Sequence, residues 1–132
     1  MRQTLKMLKK YILSIIVALI IMYLSLASSD TFEKVPIFNI QNFDKIVHFC
    51  MYFGLMSVIL FESRKSLKDT GRIFLRALSP LCYGLLMEIL QSAFTTSRSG
   101  SFYDVLANSI GIFVSLLLWL NISPFIKDKF KW

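Results

Sequence analysis

The sequence predicts an all-α polytopic membrane protein, a compact bundle of four transmembrane helices. Hydrophobic residues make up 55% of the 132 residues, and the mean hydropathy is +0.61, too apolar for an ordinary soluble domain of this size. The apolar residues fall into four segments, each near the ~20 residues needed to cross a ~30 Å hydrocarbon core. None of these segments alternates apolar and polar residues as a membrane strand would. A chain of this length is expected to form one domain, residues 1–132.

The first predicted span follows a polar, basic segment at residues 1–10. We expect this span to be an uncleaved anchor. The small residues of Ser25-Leu26-Ala27 also fit a signal-peptidase site, so a cleaved signal peptide is the alternative. The four predicted spans cover residues 11–27, 44–61, 77–94 and 103–122.

The positive charges are concentrated on one side of the predicted bundle. All Lys and Arg residues except Lys34, Lys45 and Arg98 lie before the first span, between the second and third, or after the fourth. By the positive-inside rule, this distribution predicts that both termini are cytoplasmic in a multi-pass protein of the cell membrane. A basic fringe at the membrane surface also explains the net charge of +7 without a nucleic-acid partner.

Polar residues recur near the outer ends of the second, third and fourth spans. Within each span they lie three or four residues apart, so they share a helical face. At 1.5 Å per residue the three sets lie at a common depth, about 6–9 Å below the outer surface. Ionisable residues inside a membrane usually have partners and often mark a functional site. The candidate ligand-binding residues are Asp44, Lys45, His48, Glu88, Gln91, Arg98, Asp104 and Asn108.

Small residues accompany these polar positions. On the fourth span Gly111 and Ser115 are four residues apart, a spacing that permits close approach of two helix backbones. On the third span Ala77 and Gly84 precede Glu88 on one face. We therefore expect tight packing beside the polar residues, and small-residue faces that offer a route to homo- or hetero-oligomers.

The polar pattern resembles the VanZ-like family. Its elements are Asp44-Lys45-x-x-His48, Glu88-x-x-Gln91, and then Arg98, Asp104, Asn108 and Gly111, spread over residues 44–115. The resemblance implies a small multi-helix membrane protein with a role in the cell envelope. The family is named for a protein linked to low-level teicoplanin resistance, so the resemblance also implies a link to antibiotic tolerance. It implies no particular biochemical activity.

Three hypotheses of function follow. The first is binding of an anionic lipid headgroup or envelope precursor at the outer face, with Arg98 as a bidentate donor and Lys45 as a point charge. The second is a membrane-embedded enzyme that uses His48 with Glu88, Asp104 or Asp44 as acid, base and orienting groups. The third is a scaffold protein that associates with other helices through its small-residue faces. A purely structural role of the polar residues is the alternative to all three hypotheses.

The expected partners are membrane lipids. The sequence contains no zinc-ligand pattern and no phosphate-binding loop, so we assign neither a cofactor nor a metal site. Within the enzyme hypothesis, the carboxylates would be suitable oxygen ligands for a divalent ion. The candidate catalytic residues are His48, Glu88 and Asp104.

Overall fold

The chain is helical through nearly all of the described residues, which confirms the all-α prediction. A computed structural model describes residues 2–27, 42–67, 69–94 and 101–130. A short 3-10 turn, Arg64–Ser66, follows the third helix. The five helices are α1 (Arg2–Lys10), α2 (Ile12–Leu26), α3 (Phe43–Ser63), α4 (Thr70–Phe94) and α5 (Phe102–Phe130).

Among the described residues, three helices are long and apolar enough to cross a membrane individually: α3 with its 3-10 turn, α4 and α5. By contrast α2 has 15 residues, about 22 Å of helix, which is less than the ~30 Å of a hydrocarbon core. The chain bends by 67° between α1 and α2, and this bent pair counts as a fourth span only if both parts cross together. By length and composition, the described residues therefore give three spans, or the predicted four if the bent pair is one span. The cytoplasmic location of the termini stays a prediction.

Helix α1 replaces the polar extension expected at residues 1–10. It carries exposed lysines together with half-exposed Leu5 and Leu8. Because it leaves α2 at 67°, it does not continue the direction of that helix. A basic helix with an apolar face suits the membrane interface, where leucines contact acyl chains and lysines contact headgroups.

The bundle is centred on the contact between α3 and α5, the most extensive in the chain. A Cβ built on Gly111 would lie directly against the backbone carbonyl of Phe49 and 3.0 Å from the backbone nitrogen of Phe53. The hydroxyls of Ser57 and Ser115 meet at 2.9 Å one turn further along. The close approach predicted from the Gly111/Ser115 spacing is therefore found, between two helices of the same chain.

Helix α2 is held by contacts that the sequence did not indicate. The Glu62 carboxylate accepts hydrogen bonds from the backbone amides of Leu13 (2.8 Å) and Ser14 (3.1 Å), so it caps the start of α2 from the end of α3. The Tyr83 hydroxyl of α4 donates to the carbonyl of Ala18. These contacts fix both the start and the middle of α2 against the bundle.

The glycine contacts lead to a first prediction. Gly111→Ala is expected to lower the stability of the protein by about 1–3 kcal/mol, because backbone atoms of α3 cannot move aside without separating the helices. The matched control is Gly54→Ala on α3, where an added Cβ meets nothing within 4 Å. That change is expected to be neutral or stabilising, since alanine favours a helix interior over glycine. Thermal unfolding of the purified protein in detergent measures both, and equal midpoints would contradict the packing described.

Candidate functional site

Four polar side chains from three helices are buried together near one end of the bundle. His48 lies on α3, Glu88 on α4, and Asp104 and Asn108 on α5; each is at most 7% exposed. We call these four residues the His48 cluster. They are spread over sixty positions of the chain, and helical periodicity alone brings each of them to an inward face. The convergence predicted from the sequence is therefore observed for these residues.

Asn108 lies between the histidine and the glutamate. Its Oδ1 is 3.0 Å from Nδ1 of His48, and its Nδ2 donates to Oε1 of Glu88 at 3.5 Å. With the amide in this orientation Oδ1 is an acceptor, which assigns the imidazole proton to Nδ1. The Asn108 amide thus provides a hydrogen-bond partner for both the His48 Nδ1–H donor and the Glu88 Oε1 acceptor inside the bundle.

The two carboxylates of the cluster are close to each other and to the imidazole. Ligand atoms of His48, Glu88 and Asp104 all lie within 4.8 Å of one another. Ser101, just before α5, directs its backbone amide at the Glu88 carboxylate. Nevertheless, Oε2 of Glu88 has no hydrogen-bond partner of normal geometry among the described residues. A buried oxygen of this kind favours a donor or a cation from outside the described part of the chain.

Gln91 is buried one turn beyond Glu88 on α4. Its side-chain amide donates to the backbone carbonyl of Ser25 at 3.1 Å. This bond links α4 to the last turn of α2. The structure therefore shows Gln91 connecting two helices beside the His48 cluster.

The remaining candidates are Asp44, Lys45 and Arg98. Lys45 and Asp44 contact each other at 3.5 Å, and their side chains are 33% and 46% exposed. The pair occupies the first turn of α3, where the chain enters the bundle. Arg98 lies outside the described residues. Of the eight candidates, five are buried at this end of the bundle and two form a partly exposed ion pair.

Tyr52 belongs beside the cluster and was not predicted. It is fully buried, and its hydroxyl has no hydrogen-bond partner among the described residues. Gly84 gives it space, because a Cβ at that position would lie 3.1 Å from the tyrosine ring and 3.5 Å from Nδ2 of Asn108. The available signal was spacing, since Tyr52 follows His48 by one helical turn on the same face.

A groove of about 480 Å³ runs between α4 and α5 at the cluster end. Most of its wall is apolar, and Glu88 is its only ionisable residue among those described. Glu88 therefore belongs both to the His48 cluster and to the groove. The lining residues are Leu85, Glu88, Ile89, Ser92, Ala93, Ser101, Phe102 and Val105.

Comparison with protein families gives a match to the family model VanZ/LLP1 over residues 3–123. The chain belongs to the VanZ/LLP1 family. This confirms the family resemblance carried by the polar residues, since all eight candidates fall within the matched range. Searches of curated proteins and of solved structures found no significant match.

For this VanZ/LLP1 chain, family membership supports a multi-pass membrane protein, in agreement with its apolar helices. The family match assigns no reaction to the His48 cluster. The chemistry of the cluster therefore has to be argued from its geometry. That geometry offers one imidazole, two carboxylates and one amide in a space shielded by three helices.

The position of Asn108 leads to a second prediction. Asn108→Ala is expected to destabilise the VanZ/LLP1 protein by about 1–3 kcal/mol, because both His48 and Glu88 lose a buried partner. The matched control is Asn121→Ala on the same helix, where the exposed amide donates to the carbonyl of Leu117. Thermal unfolding in detergent compares the two. Similar midpoints for both variants would show that the amide is not a structural link.

Proposed function

We propose that this VanZ/LLP1 protein binds a membrane amphiphile with an anionic headgroup, either a lipid or a lipid-linked envelope precursor. The headgroup lies at the His48 cluster and the hydrocarbon part lies along the groove between α4 and α5. The observation that carries this proposal is the groove itself, which lies between α4 and α5, has a mainly apolar wall and is also lined by the buried Glu88.

The groove matches the two parts of such a ligand. Leu85, Ile89 and Val105 offer an aliphatic wall on which an acyl or prenyl chain can pack. Ser92 and Ser101 offer hydroxyls at the same groove, beside the Glu88 carboxylate. Binding sites for small molecules commonly combine a mainly apolar wall with a few polar groups that orient the ligand.

The charges of the site select the headgroup. Glu88 and Asp104 accept hydrogen bonds, so they suit the hydroxyl or ammonium groups of a headgroup. A phosphate or carboxylate on the same ligand requires cations, and Lys45 and Arg98 are the candidates. Lys45 is one turn before His48, and Arg98 belongs to the connection between α4 and α5, whose ends flank the groove. A guanidinium can bind a phosphate with two parallel hydrogen bonds.

The topology inferred from the positive charges places this site at the outer leaflet of the cell membrane. Envelope precursors carrying diphosphates and sugars are assembled on lipid carriers and therefore meet that leaflet. If the ligand is such a precursor, the teicoplanin tolerance implied by the family resemblance follows from sequestering it. If it is a phospholipid, the protein senses or organises the lipid itself.

Lipid binding is the third prediction. Native mass spectrometry of the purified protein is expected to show retention of phosphatidylglycerol and of a polyprenyl phosphate in preference to phosphatidylcholine. Arg98→Ala should reduce that preference at least fivefold, about 1 kcal/mol. The matched control is Arg72→Ala, an exposed arginine paired with Asp69 and distant from the groove. The relative retention of the two anionic probes distinguishes the two ligand sources.

Two results would refute lipid binding at this site. One is equal retention of anionic and zwitterionic lipids by the unmodified protein. The other is an equal loss of retention in Arg98→Ala and Arg72→Ala, which would indicate general attraction of lipids to a basic surface.

An enzyme acting on the same amphiphile is the second candidate function. The specific observation is that Nδ1 of His48 lies 3.6 Å from Oε1 of Glu88, with Asp104 also close, all three buried. An imidazole beside a carboxylate is a suitable acid–base pair. Asp44, one of the sequence candidates for this role, pairs with Lys45 in the first turn of α3.

Turnover is the fourth prediction, and it separates binding from catalysis. Under the enzyme hypothesis, incubation with the retained lipid gives a product that mass spectrometry of the lipid extract detects. His48→Gln should then lower the rate about a hundredfold or more, as expected for loss of a general acid or base. Asn121→Ala, exposed on α5, serves as the control with an unchanged rate. No product from the unmodified protein would exclude the enzyme and leave the binding role.

A further inference from the structure

The His48 cluster has features that neither lipid binding nor mutual hydrogen bonding explains. It contains two carboxylates within 4.8 Å of each other, although each is more than nine-tenths buried. We infer that His48, Glu88 and Asp104 bind one divalent transition-metal ion, of the kind that accepts imidazole and carboxylate ligands, such as Zn²⁺ or Mn²⁺. The sequence analysis assigned no metal site, because the sequence contains no zinc-ligand pattern.

The distance between His48 and Glu88 fits a shared ion better than it fits a hydrogen bond. Nδ1 of His48 is 3.6 Å from Oε1 of Glu88, which is too long for a hydrogen bond between them. Two ligand atoms that are each about 2.0–2.2 Å from one ion lie roughly 3–3.6 Å apart. Oδ1 of Asn108, 3.0 Å from the same Nδ1, falls within that spacing and can become a fourth ligand. A small inward movement of Asp104 completes the set.

The electrostatics also favour a cation. Oε2 of Glu88 accepts no hydrogen bond from the described residues, and no Lys or Arg among them pairs with Glu88. A buried carboxylate that no Lys or Arg of the described residues neutralises is expensive in a membrane interior. A divalent ion between Glu88 and Asp104 would remove the repulsion between the two carboxylates.

The ligand atoms indicate the class of metal. One imidazole with two carboxylates is a mixed nitrogen and oxygen set, which suits Zn²⁺ or Mn²⁺ rather than the all-oxygen sets of Ca²⁺. Thiolate ligands play no part, since Cys50 and Cys82 are exposed on the outside of the bundle. A metal ion bound at Nδ1 of His48 requires the imidazole proton to be on Nε2. Asn108 Oδ1 then no longer accepts a hydrogen bond from Nδ1, and it becomes a ligand or a neighbour of the ion.

The fifth prediction is metal uptake by the purified protein. The protein in detergent is stripped with a chelator, dialysed, and titrated separately with Zn²⁺ and Mn²⁺, with bound metal determined by elemental analysis. About one ion per chain is expected. Glu88→Gln and Asp104→Asn, which keep the shape of the side chains, should each weaken binding at least tenfold. The matched control, Asp69→Asn, changes an exposed aspartate at the far end of α4 and should bind like the unmodified protein.

Folding is monitored independently in the same samples. Saturating metal should raise the unfolding temperature of the unmodified protein and of Asp69→Asn, but not of Glu88→Gln, since a ligand stabilises only the state that binds it. Less than about a tenth of an ion per chain in the unmodified protein would overturn the inference and leave a proton shared by the two carboxylates. Binding that survives in both cluster variants would overturn it as well. The inference does not rest on lipid binding, because lipid retention is measured separately and either result can fail alone.

Discussion

The structure depends on one constraint: polar side chains within an apolar bundle must find their partners on neighbouring helices. In hydrocarbon no water is available to satisfy them. Asn108 meets this requirement for two residues at once, accepting from His48 of α3 and donating to Glu88 of α4. Because this amide bonds to both other helices, it fixes their rotation as well as their separation. The three helices that carry the site are therefore also the three that define the bundle.

The close approach at Gly111 and the polar bond at Asn108 are parts of the same contact. Gly111 follows Asn108 by one turn on α5, and the backbone it touches belongs to Phe49, the neighbour of His48 on α3. A larger residue at position 111 would push α5 away from α3 and lengthen the bond between the imidazole and the amide. The glycine thus has a consequence beyond packing, because it sets the distance at which the polar groups meet.

Helical periodicity was enough to predict which faces of the spans turn inward, and so to predict the convergence of His48, Glu88 and Asn108. It could not predict contacts near the ends of helices, where the side-chain rotamer decides which neighbour a residue pairs with. Asp44 and Lys45 share the first turn of α3, and they pair with each other. The capping of α2 by Glu62 could not be predicted either, because it depends on how the start of α2 packs against the end of α3. Tyr52 was not predicted, although its spacing places it one turn from His48 on the same face.

The shortness of α2 has a consequence for the surrounding bilayer. A helix of 15 residues beside spans of at least 24 leaves a step in the apolar perimeter, so lipids along α2 must shorten their hydrocarbon layer to match it. The last turn of α2 is where Ser25 meets Gln91, one turn from Glu88. A local dip of the lipid surface on that flank would bring headgroups and water toward the level of the buried carboxylates. That flank would then give headgroups and water a second approach to Glu88, besides the groove between α4 and α5.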